Sequence, residues 1–333
     1  MGILRNVALL LRVYSSYLRR KETLAYPPLF IGIETSGVCN LRCVMCPHGQ
    51  PDKHSARGLM SLEIFRAVVD EAREFAFDAD LFGGGEPLLH PRIFDMVDYA
   101  RQAGIRTRLH TNATVLTEER ARNLLESGLD YLSLSFDGYT KQCYERTRLG
   151  ANYEQTLANI TSFLAQKQKA ARRRPYVVLQ AIEDRAVALA PAERTAKEEL
   201  RRSLAALSLD EFRVIQVHNY GGKVAASGGS GGHYSPCTFP YYATYVLWDG
   251  TIVPCCVDWW GEYALGRIGE STLLEAWRGE RIVALRHLLA KRRYREVSLC
   301  RSCDRLWRST RLGVPQRSAR IVRQFIGQHL LGY

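Results

Sequence analysis

The chain has 333 residues, of which 46% are hydrophobic and 24% charged, a composition typical of a folded protein with one large and one smaller domain. It contains no apolar run long enough to span a bilayer, which argues against an integral helical membrane protein. Arginines interrupt the apolar first twenty residues and no small-residue cleavage site follows, so we expect no signal peptide.

The net charge of +12 comes almost entirely from the two ends of the chain. Residues 1–21 carry five basic residues and residues 305–333 carry six, with no acidic residue in either stretch. Apolar residues recur among the basic ones at helical spacing, which predicts basic amphipathic segments at 1–29 and 311–333. We expect both to pack on the main domain; the alternative is contact with an anionic membrane surface or an acidic partner. Nucleic-acid binding is less expected, because no aromatic residues are interleaved as stacking platforms and no groove-reading motif is present.

Between these ends, strand-like and helix-like segments alternate. Strand-like runs lie at about 30–34, 78–82, 106–111, 131–136, 176–182 and 212–217, and helix-period segments at about 61–75, 91–103, 117–127, 140–169 and 188–207. Ser61 and Thr117 are followed by acidic residues and are predicted helix caps. Six strands with intervening helices predict a parallel sheet in which each crossover supplies a covering helix.

The composition changes after residue 220. Residues 221–236 contain six glycines together with serines, which predicts a flexible linker. The sequence therefore predicts a main domain at 30–220 and a small domain at 237–310. Within the small domain, Asp249-Gly250 lies between two apolar runs and predicts a β-hairpin over residues 245–254.

Three cysteines, Cys39, Cys43 and Cys46, follow the first predicted strand within eight residues. Soft thiolate ligands suit an iron–sulfur cluster or zinc. A structural zinc site uses four ligands, usually in two separated pairs, whereas three closely spaced thiolates leave one metal position open. An open position on a redox cluster can bind and activate a substrate. A zinc site or buried thiols are the alternative.

The Cys39–Cys46 loop resembles the signature of the radical S-adenosylmethionine (SAM) enzymes. The segment Gly83-Gly84-Gly85-Glu86-Pro87, which follows the second predicted strand, is similar to the Gly-Gly-Glu-Pro motif of that family. The resemblance implies an α/β fold: a partial (β/α)6 TIM-like barrel, open on one side. Chemistry in parallel barrels lies at the carboxyl ends of the strands. The cysteine loop, the glycine motif, Asn112 and Asp137 all follow predicted strands, so we expect them at one rim.

The resemblance also implies a [4Fe–4S] cluster held by Cys39, Cys43 and Cys46, with SAM on the fourth iron. The further candidate SAM-binding residues are Gly84, Gly85 and Glu86 for the methionine end, Asn112 on the rim, Ser135 and Asp137 for the ribose, and Arg148 for the carboxylate. A solvated surface position is the alternative for Arg148.

A second set of cysteines, Cys237, Cys255, Cys300 and Cys303, combines the end of the predicted hairpin with a distant Cys-x-x-Cys pair. Four thiolates can enclose a cluster completely, and a zinc ribbon is the alternative. Together with Gly250, this set resembles the SPASM domain in its single-cluster form, called Twitch, with a spacing similar to that of an aminocyclitol dehydrogenase. The resemblance implies an auxiliary [4Fe–4S] cluster at residues 237–310.

Two cysteines remain outside these sets. Cys256 is expected to be a small buried residue or an alternative ligand. Cys143 lies on a predicted helix, where a core position is expected; the alternative is a hydrogen-atom donor to a substrate radical. Nine cysteines, an odd number at clustered spacings, do not predict a disulfide framework, and thiolate-ligated clusters favour the reducing cytoplasm.

The resemblance implies reductive cleavage of SAM to a 5′-deoxyadenosyl radical, supported by an external low-potential electron donor of the flavodoxin or ferredoxin type. The expected target is a hydrogen of a small polar substrate such as a sugar, cyclitol or nucleoside. An auxiliary cluster that accepts the substrate's electron would complete an oxidation, for example of an alcohol to a ketone. The alternatives are a maturase that modifies a peptide or protein, a redox-neutral epimerase that uses Cys143, and a two-cluster electron carrier.

Overall fold

A computed structural model describes residues 3–49, 57–184, 187–225, 233–307, 310–311 and 313–315. The central part of the predicted linker, residues 226–232, and most of the predicted C-terminal helix, residues 316–333, lie outside these ranges. Among the described residues, no helix is both long and apolar enough to cross a membrane.

The main feature is an open nine-stranded sheet with the order β6-β5-β4-β3-β2-β1-β7-β8-β9. Its strands are β1 Phe30–Ile33, β2 Asp78–Asp80, β3 Arg106–Thr111, β4 Tyr131–Ser135, β5 Tyr176–Glu183, β6 Glu211–Gln216, β7 Ala243–Val246, β8 Thr251–Val253 and β9 Gly266–Arg267. Strands β1 to β6 are mutually parallel, which confirms the predicted partial barrel of six strands. A short antiparallel ribbon, β10 Thr310–Arg311 and β11 Val314–Pro315, stands apart.

The helices of the main domain follow the predicted crossovers, and those of the small domain pack beside the hairpin. They are α1 Ile3–Leu18, α2 Leu62–Ala72, α3 Ile93–Gln102, α4 Glu118–Glu126, α5 Lys141–Thr147, α6 Tyr153–Lys169, α7 Pro191–Ala205, α8 Phe239–Tyr242, α9 Leu273–Arg278 and α10 Glu280–Ala290. Ser61 and Thr117 cap α2 and α4, each accepting a backbone N–H bond from the residue three positions on, as predicted.

The predicted helix over residues 140–169 is instead two helices, α5 and α6. Gly150, in the connection between them, has a φ of +94°. That left-handed conformation interrupts the helical hydrogen-bond ladder, and Asn152 then caps α6 by accepting from the Gln155 N–H at 2.8 Å. The prediction of a single helix was wrong because the helical periodicity of the sequence continues from one helix into the next and does not show the break between them.

The strands divide the sheet into an apolar face and a polar face. In β3, Thr107, Leu109 and Thr111 are buried, and the alternate residues, which include Arg108 and His110, are half-buried. Leu109 belongs to the core formed with the covering helices, whereas Arg108 and His110 line a cavity on the concave face. The period of two along the strand therefore places the helices on one side and the polar side chains on the other.

The predicted hairpin is formed by β7 and β8, and it extends the sheet of the main domain. Strand β7 pairs in parallel with β1, with Gly32 opposite Tyr245, while β8 returns antiparallel. Gly250 supplies the turn with a φ of +87°. The two cysteine-bearing regions are thus joined by backbone hydrogen bonds in one sheet.

Helix α1 packs under the amino ends of the strands. Its Tyr17 lies in a core with Leu29 and Phe77, the residues that precede β1 and β2. The Tyr17 hydroxyl also donates to the Pro236 carbonyl at 2.9 Å. The described ends of the predicted linker pack as well: Gly222 lies against Ser302, and the Ser235 N–H donates to the Leu306 carbonyl at 2.9 Å.

Candidate active site

A cavity of about 310 Å³ lies on the concave face of the sheet. It is lined by residues of the three-cysteine loop (Cys39, Cys43, Cys46), of the glycine motif (Gly83, Gly84, Gly85, Glu86), of the strand ends (Asn112, Ser135, Asp137, Arg148) and of the small domain (Phe239, Tyr245, Cys256, Trp259, Arg305). The rim residues predicted from the sequence therefore come together around one cavity, together with residues of the small domain.

The three-cysteine loop is held against the end of α5. The Arg42 N–H donates to the Leu149 carbonyl and the Val44 N–H to the Thr147 carbonyl, both at 3.0 Å. The Cys39 thiol accepts a bond from the Leu41 N–H at 3.5 Å and from the Asn112 amide at 3.9 Å. These contacts orient the loop and supply N–H donors to a thiolate.

Burial raises the pKa of Cys39 to about 11 and the pKa of Cys46 to about 12, and it also raises that of Cys43. The apolar surroundings thus disfavour bare thiolates, so metal binding must displace the protons. Among the described residues, no three His, Cys, Asp or Glu side chains are close enough to share a single ion. A four-iron cluster binds each thiolate to a separate iron.

The glycine motif lies directly against the chain that leads into the cysteine loop. A Cβ at Gly85 would come within 2.3 Å of the Ser36 carbonyl oxygen and 2.5 Å of the Val38 carbonyl oxygen. A Cβ at Gly84 would lie 2.9 Å from the Trp259 ring. Packing inside the protein therefore requires these glycines, whatever they contact in a ligand.

Glu86 is fully buried and its carboxylate is engaged by the protein. One oxygen accepts from the Leu88 N–H at 3.0 Å and the Thr111 hydroxyl at 2.7 Å, and the other accepts from the Asn112 N–H at 2.7 Å. The bonds from Thr111 and Asn112 tie the glycine motif to the end of β3. Contact of Glu86 with a ligand ammonium group stays a prediction.

Glu34, directly after β1, is a site residue that the sequence prediction missed. Its carboxylate forms a buried ion pair with Arg57 and accepts from the Gly84 N–H at 2.7 Å and the Trp248 N–H at 3.3 Å. Glu34 thereby joins β1, the glycine motif and the β7–β8 turn. A single glutamate after a strand belongs to no motif, so only the fold identifies it.

Arg148 and Asp137 form a buried ion pair of 2.6 Å beside the three-cysteine loop. The second Asp137 oxygen accepts from the Ile182 N–H at 2.6 Å. The alternative of a solvated surface position for Arg148 is wrong, because its side chain is buried. Arg148 Nε has no hydrogen bond among the described residues, which leaves one N–H of a buried cation for a ligand. Ser135 lies close by, at the end of β4.

Cys143 lies on α5 and is not among the residues that line the cavity. Burial raises the pKa of its thiol, and the nearby Glu193 carboxylate raises it further. A hydrogen-atom donor must reach the substrate radical, so this position does not favour that role, and the alternative for Cys143 stays a prediction.

The second set of cysteines is assembled at the side of the hairpin. Cys237, Cys255, Cys300 and Cys303 are near enough for their thiols to interact electrostatically, and burial raises the pKa of Cys237 to about 12. Arg305 follows this set, is buried, and stacks on the Phe239 ring at 5.1 Å. Cys256 adjoins the set and lines the cavity, which extends from one group of thiols toward the other.

Polar side chains cover the concave face below the three-cysteine loop. His110 Nε2 lies 3.4 Å from an Asp80 carboxylate oxygen, and the Arg108 guanidinium stacks on the Tyr131 ring at 4.5 Å. Gln180 and Arg213 come from the next strands and also line the cavity. Asp80 Oδ1 and Arg108 Nε are buried without a hydrogen bond from the part of the chain described. These groups can bind a polar ligand.

Two family models match this chain. Residues 33–173 match the radical SAM superfamily, and residues 237–304 match SPASM, an iron–sulfur cluster-binding domain. The chain therefore contains a radical SAM domain and a SPASM domain. The two domains imply SAM and [4Fe–4S] clusters, which the two sets of thiols and the open N–H of Arg148 fit.

Curated relatives share the family but differ in reaction. An AdoMet-dependent heme synthase of Methanosarcina barkeri is 33% identical over 134 residues, 40% of this chain and 38% of the relative. A PqqA peptide cyclase of Gluconobacter oxydans is 31% identical over 124 residues, 37% of this chain and 34% of the relative. The matches span between a quarter and two fifths of the relatives' length.

Solved structures have a similar fold. BtrN in complex with AdoMet and 2-DOIA has a TM-score of 0.55 at 19% identity, covering 83% of this chain and 92% of that chain. Streptococcus suis SuiB bound to its precursor peptide SuiA has a TM-score of 0.64 at 15% identity, covering 92% of this chain and 76% of that chain. At these identities the likeness concerns the fold alone.

Proposed function

We propose that the protein is a radical SAM oxidoreductase that abstracts a hydrogen from a small polar substrate and oxidises it. Cys39, Cys43 and Cys46 would hold the cluster that binds SAM, with Arg148 Nε directed to the SAM carboxylate. Cys237, Cys255, Cys300 and Cys303 would hold the auxiliary cluster. When bound, the first cluster and SAM supply a 5′-deoxyadenosyl radical.

One observation carries the proposal: a single cavity is lined by all three thiols of the first set and by residues adjoining the second set, including Cys256 and Arg305. A substrate in that cavity would lie between the two clusters, as transfer of its electron to the second cluster requires. The cavity of about 310 Å³ would have to hold the first cluster and SAM as well, so the room that remains favours a small substrate over a peptide.

The concave face supplies the recognition groups. Asp80 can accept hydrogen bonds from hydroxyl groups, His110 can accept or donate them, and Arg108, Gln180 and Arg213 can donate them. This set suits a sugar, a cyclitol or a nucleoside. The chain's contribution is to orient such a substrate, to exclude water and to accept the hydroxyl proton at a polar group.

The test is an anaerobic turnover assay. Wild-type protein is reconstituted, reduced and supplied with SAM and deuterated sugars, cyclitols or nucleosides; we expect deuterium in 5′-deoxyadenosine and one ketone product per 5′-deoxyadenosine. Replacing Cys39, Cys43 and Cys46 by alanine should abolish 5′-deoxyadenosine and leave about four of about eight irons. Cys300→Ala/Cys303→Ala should retain 5′-deoxyadenosine but lose the ketone.

Three outcomes would contradict the proposal. A redox-neutral product with a solvent-derived hydrogen would identify an epimerase, and Cys143→Ala is the variant that tests a thiol donor. Turnover only with a peptide would identify a maturase. A cluster whose electron paramagnetic resonance spectrum does not change on adding SAM would identify an electron carrier.

A further inference from the structure

Helix α1 has two apolar faces: one is buried against the base of the sheet, and the other stays partly exposed, with Gly313 against its Leu18. Tyr17 is buried against the base of the sheet, with Leu9, Leu10 and Val13 packed beside it. On another face, the exposed fractions are 36% for Val7, 60% for Leu11, 38% for Tyr14 and 43% for Leu18. These four residues, here named the α1 stripe, follow the i, i+4, i+7, i+11 spacing of one helix face.

Basic residues border the α1 stripe. Arg12 and Arg19 directly follow Leu11 and Leu18, so both fall on the same side of it, and Lys21 follows the helix. All three are exposed. None of them forms an ion pair with any residue in the described ranges. These cations are therefore available to an anionic surface.

We propose that the α1 stripe and its basic border dock the protein on an anionic lipid surface. An exposed apolar line edged with cations is the pattern of a helix that lies in the plane of a membrane interface. A second copy would bring an equally basic face against the first. Residues 316–333 also carry three arginines and no acid, so charge favours an anionic surface over this segment as the partner of the α1 stripe.

A groove beside the helix favours lipid over an acidic protein. It has a volume of about 290 Å³ and is lined mainly by apolar residues, including Leu9, Tyr26, Pro27 and Phe75. Its two charged lining residues are Arg12 and Glu74, and Glu74 is already paired with Arg73. An apolar groove next to a cation suits an acyl chain and its anionic headgroup.

The position of α1 is compatible with catalysis at the lipid surface. The helix packs against residues that precede β1 and β2, whereas the three-cysteine loop follows the carboxyl end of β1. A docked protein therefore holds the rim that carries this loop away from the bilayer.

The experiment is co-sedimentation of the full-length, cluster-loaded protein with two kinds of vesicle: phosphatidylcholine alone, and phosphatidylcholine with phosphatidylserine at about 7:3. We expect binding to the anionic vesicles only, weakened by salt. Leu11→Glu should weaken it by about tenfold, because a charge enters the stripe. The matched control is Val187→Glu, at a residue that is 67% exposed on another surface.

The contribution of charge is tested with the double variant Arg12→Glu/Arg19→Glu. Its control is Arg122→Glu/Arg201→Glu, which changes the net charge by the same amount at positions on α4 and α7. Only the first pair should lose binding. The proposal is overturned if neither vesicle binds, if both bind equally, or if Leu11→Glu binds like the wild type. It is also overturned if a chain ending at residue 315 no longer binds, or if Leu11→Glu instead abolishes a dimer. The readout is binding, so it is independent of the proposed reaction.

Discussion

At the scale of single residues, the buried charges around the three-cysteine loop are matched by groups of the protein. Glu34 pairs with Arg57, Asp137 pairs with Arg148, and Glu86 accepts three hydrogen bonds. Such fixed partners hold the rim in one geometry before a ligand arrives. The site is therefore organised by the chain itself.

Replacing Arg148 by leucine should lower the free energy of unfolding by about 3 kcal/mol, because the buried Asp137 carboxylate loses its cation. Urea denaturation of the cluster-free protein measures this. Arg146→Leu, at an exposed position on the same helix, is the control and should change stability little. Adding Asp137→Asn to Arg148→Leu should recover part of the loss; no recovery would contradict the role of the ion pair.

Gly85→Ala should displace the three-cysteine loop, because its Cβ meets two backbone oxygens that cannot move independently. We expect the reconstituted variant to lose about four irons per chain, measured by iron analysis. Gly104→Ala is the control: its φ of +79° makes alanine strained there, but nothing lies within 4 Å. It should lose stability and keep its iron. Equal iron content in both variants would contradict the packing role.

The sequence was sufficient for the cysteines and the glycine motif, because their chemistry depends on spacing along the chain. It was insufficient for Glu34, whose partners Arg57 and Trp248 are 23 and 214 residues away. It also could not establish whether Cys143 reaches the cavity, because helical periodicity does not specify what each helix face meets.

At the scale of elements, periodicity predicted the six parallel strands to within a few residues, because each carries its own pattern of buried side chains. The pairing of β7 with β1 was not predictable, since more than 200 residues separate the two strands. A feature of this pairing is the Gly32 position, where a Cβ would lie 1.9 Å from the Tyr245 ring. The glycine makes room for the tyrosine.

Gly32→Ala should therefore destabilise the protein by about 2 kcal/mol through overpacking, and Tyr245→Ala by about 3 kcal/mol through a cavity. The double variant should lose less unfolding free energy than the two single variants together, by about 1 kcal/mol or more. The reason is that the methyl group added at Gly32 then fills part of the space that the Tyr245 ring leaves. Denaturation of all variants gives this coupling energy. Pairing Gly32→Ala with Tyr242→Ala is the control and should be additive; additivity in both pairs would contradict the contact.

At the scale of the whole molecule, Arg286 joins three parts of the chain. Its guanidinium donates to the carbonyls of Pro240 at 2.8 Å, Glu22 at 3.2 Å and Trp277 at 3.2 Å, and its side chain is fully buried. It stacks on the Trp277 ring at 4.5 Å. Three parts of the chain therefore meet at the Arg286 guanidinium: the segment that follows α1, helix α8 and helix α9.

Arg286→Met should lower the unfolding free energy by about 3 kcal/mol, because it leaves buried carbonyls without donors. Thermal and urea unfolding measure the change. Arg278→Met, at an exposed position on α9, is the control and should be close to neutral. Equal effects of the two substitutions would contradict a joining role. Sequence alone did not single out Arg286, since its acceptors are backbone groups brought together only by folding.

The strand pair of β1 and β7 also acts as a spacer. Cys39 follows the carboxyl end of β1, whereas β8 runs back along β7 until Val253 lies opposite Tyr245, and Cys255 follows two residues later. A four-residue strand spans about 13 Å. Electron tunnelling weakens steeply with distance, so a separation that this strand pair helps to fix would affect how fast charge passes between two clusters bound at these thiols. One residue inserted into β8 would shift its register by about 3 Å and turn its side chains to the other face, while leaving every ligand in the chain.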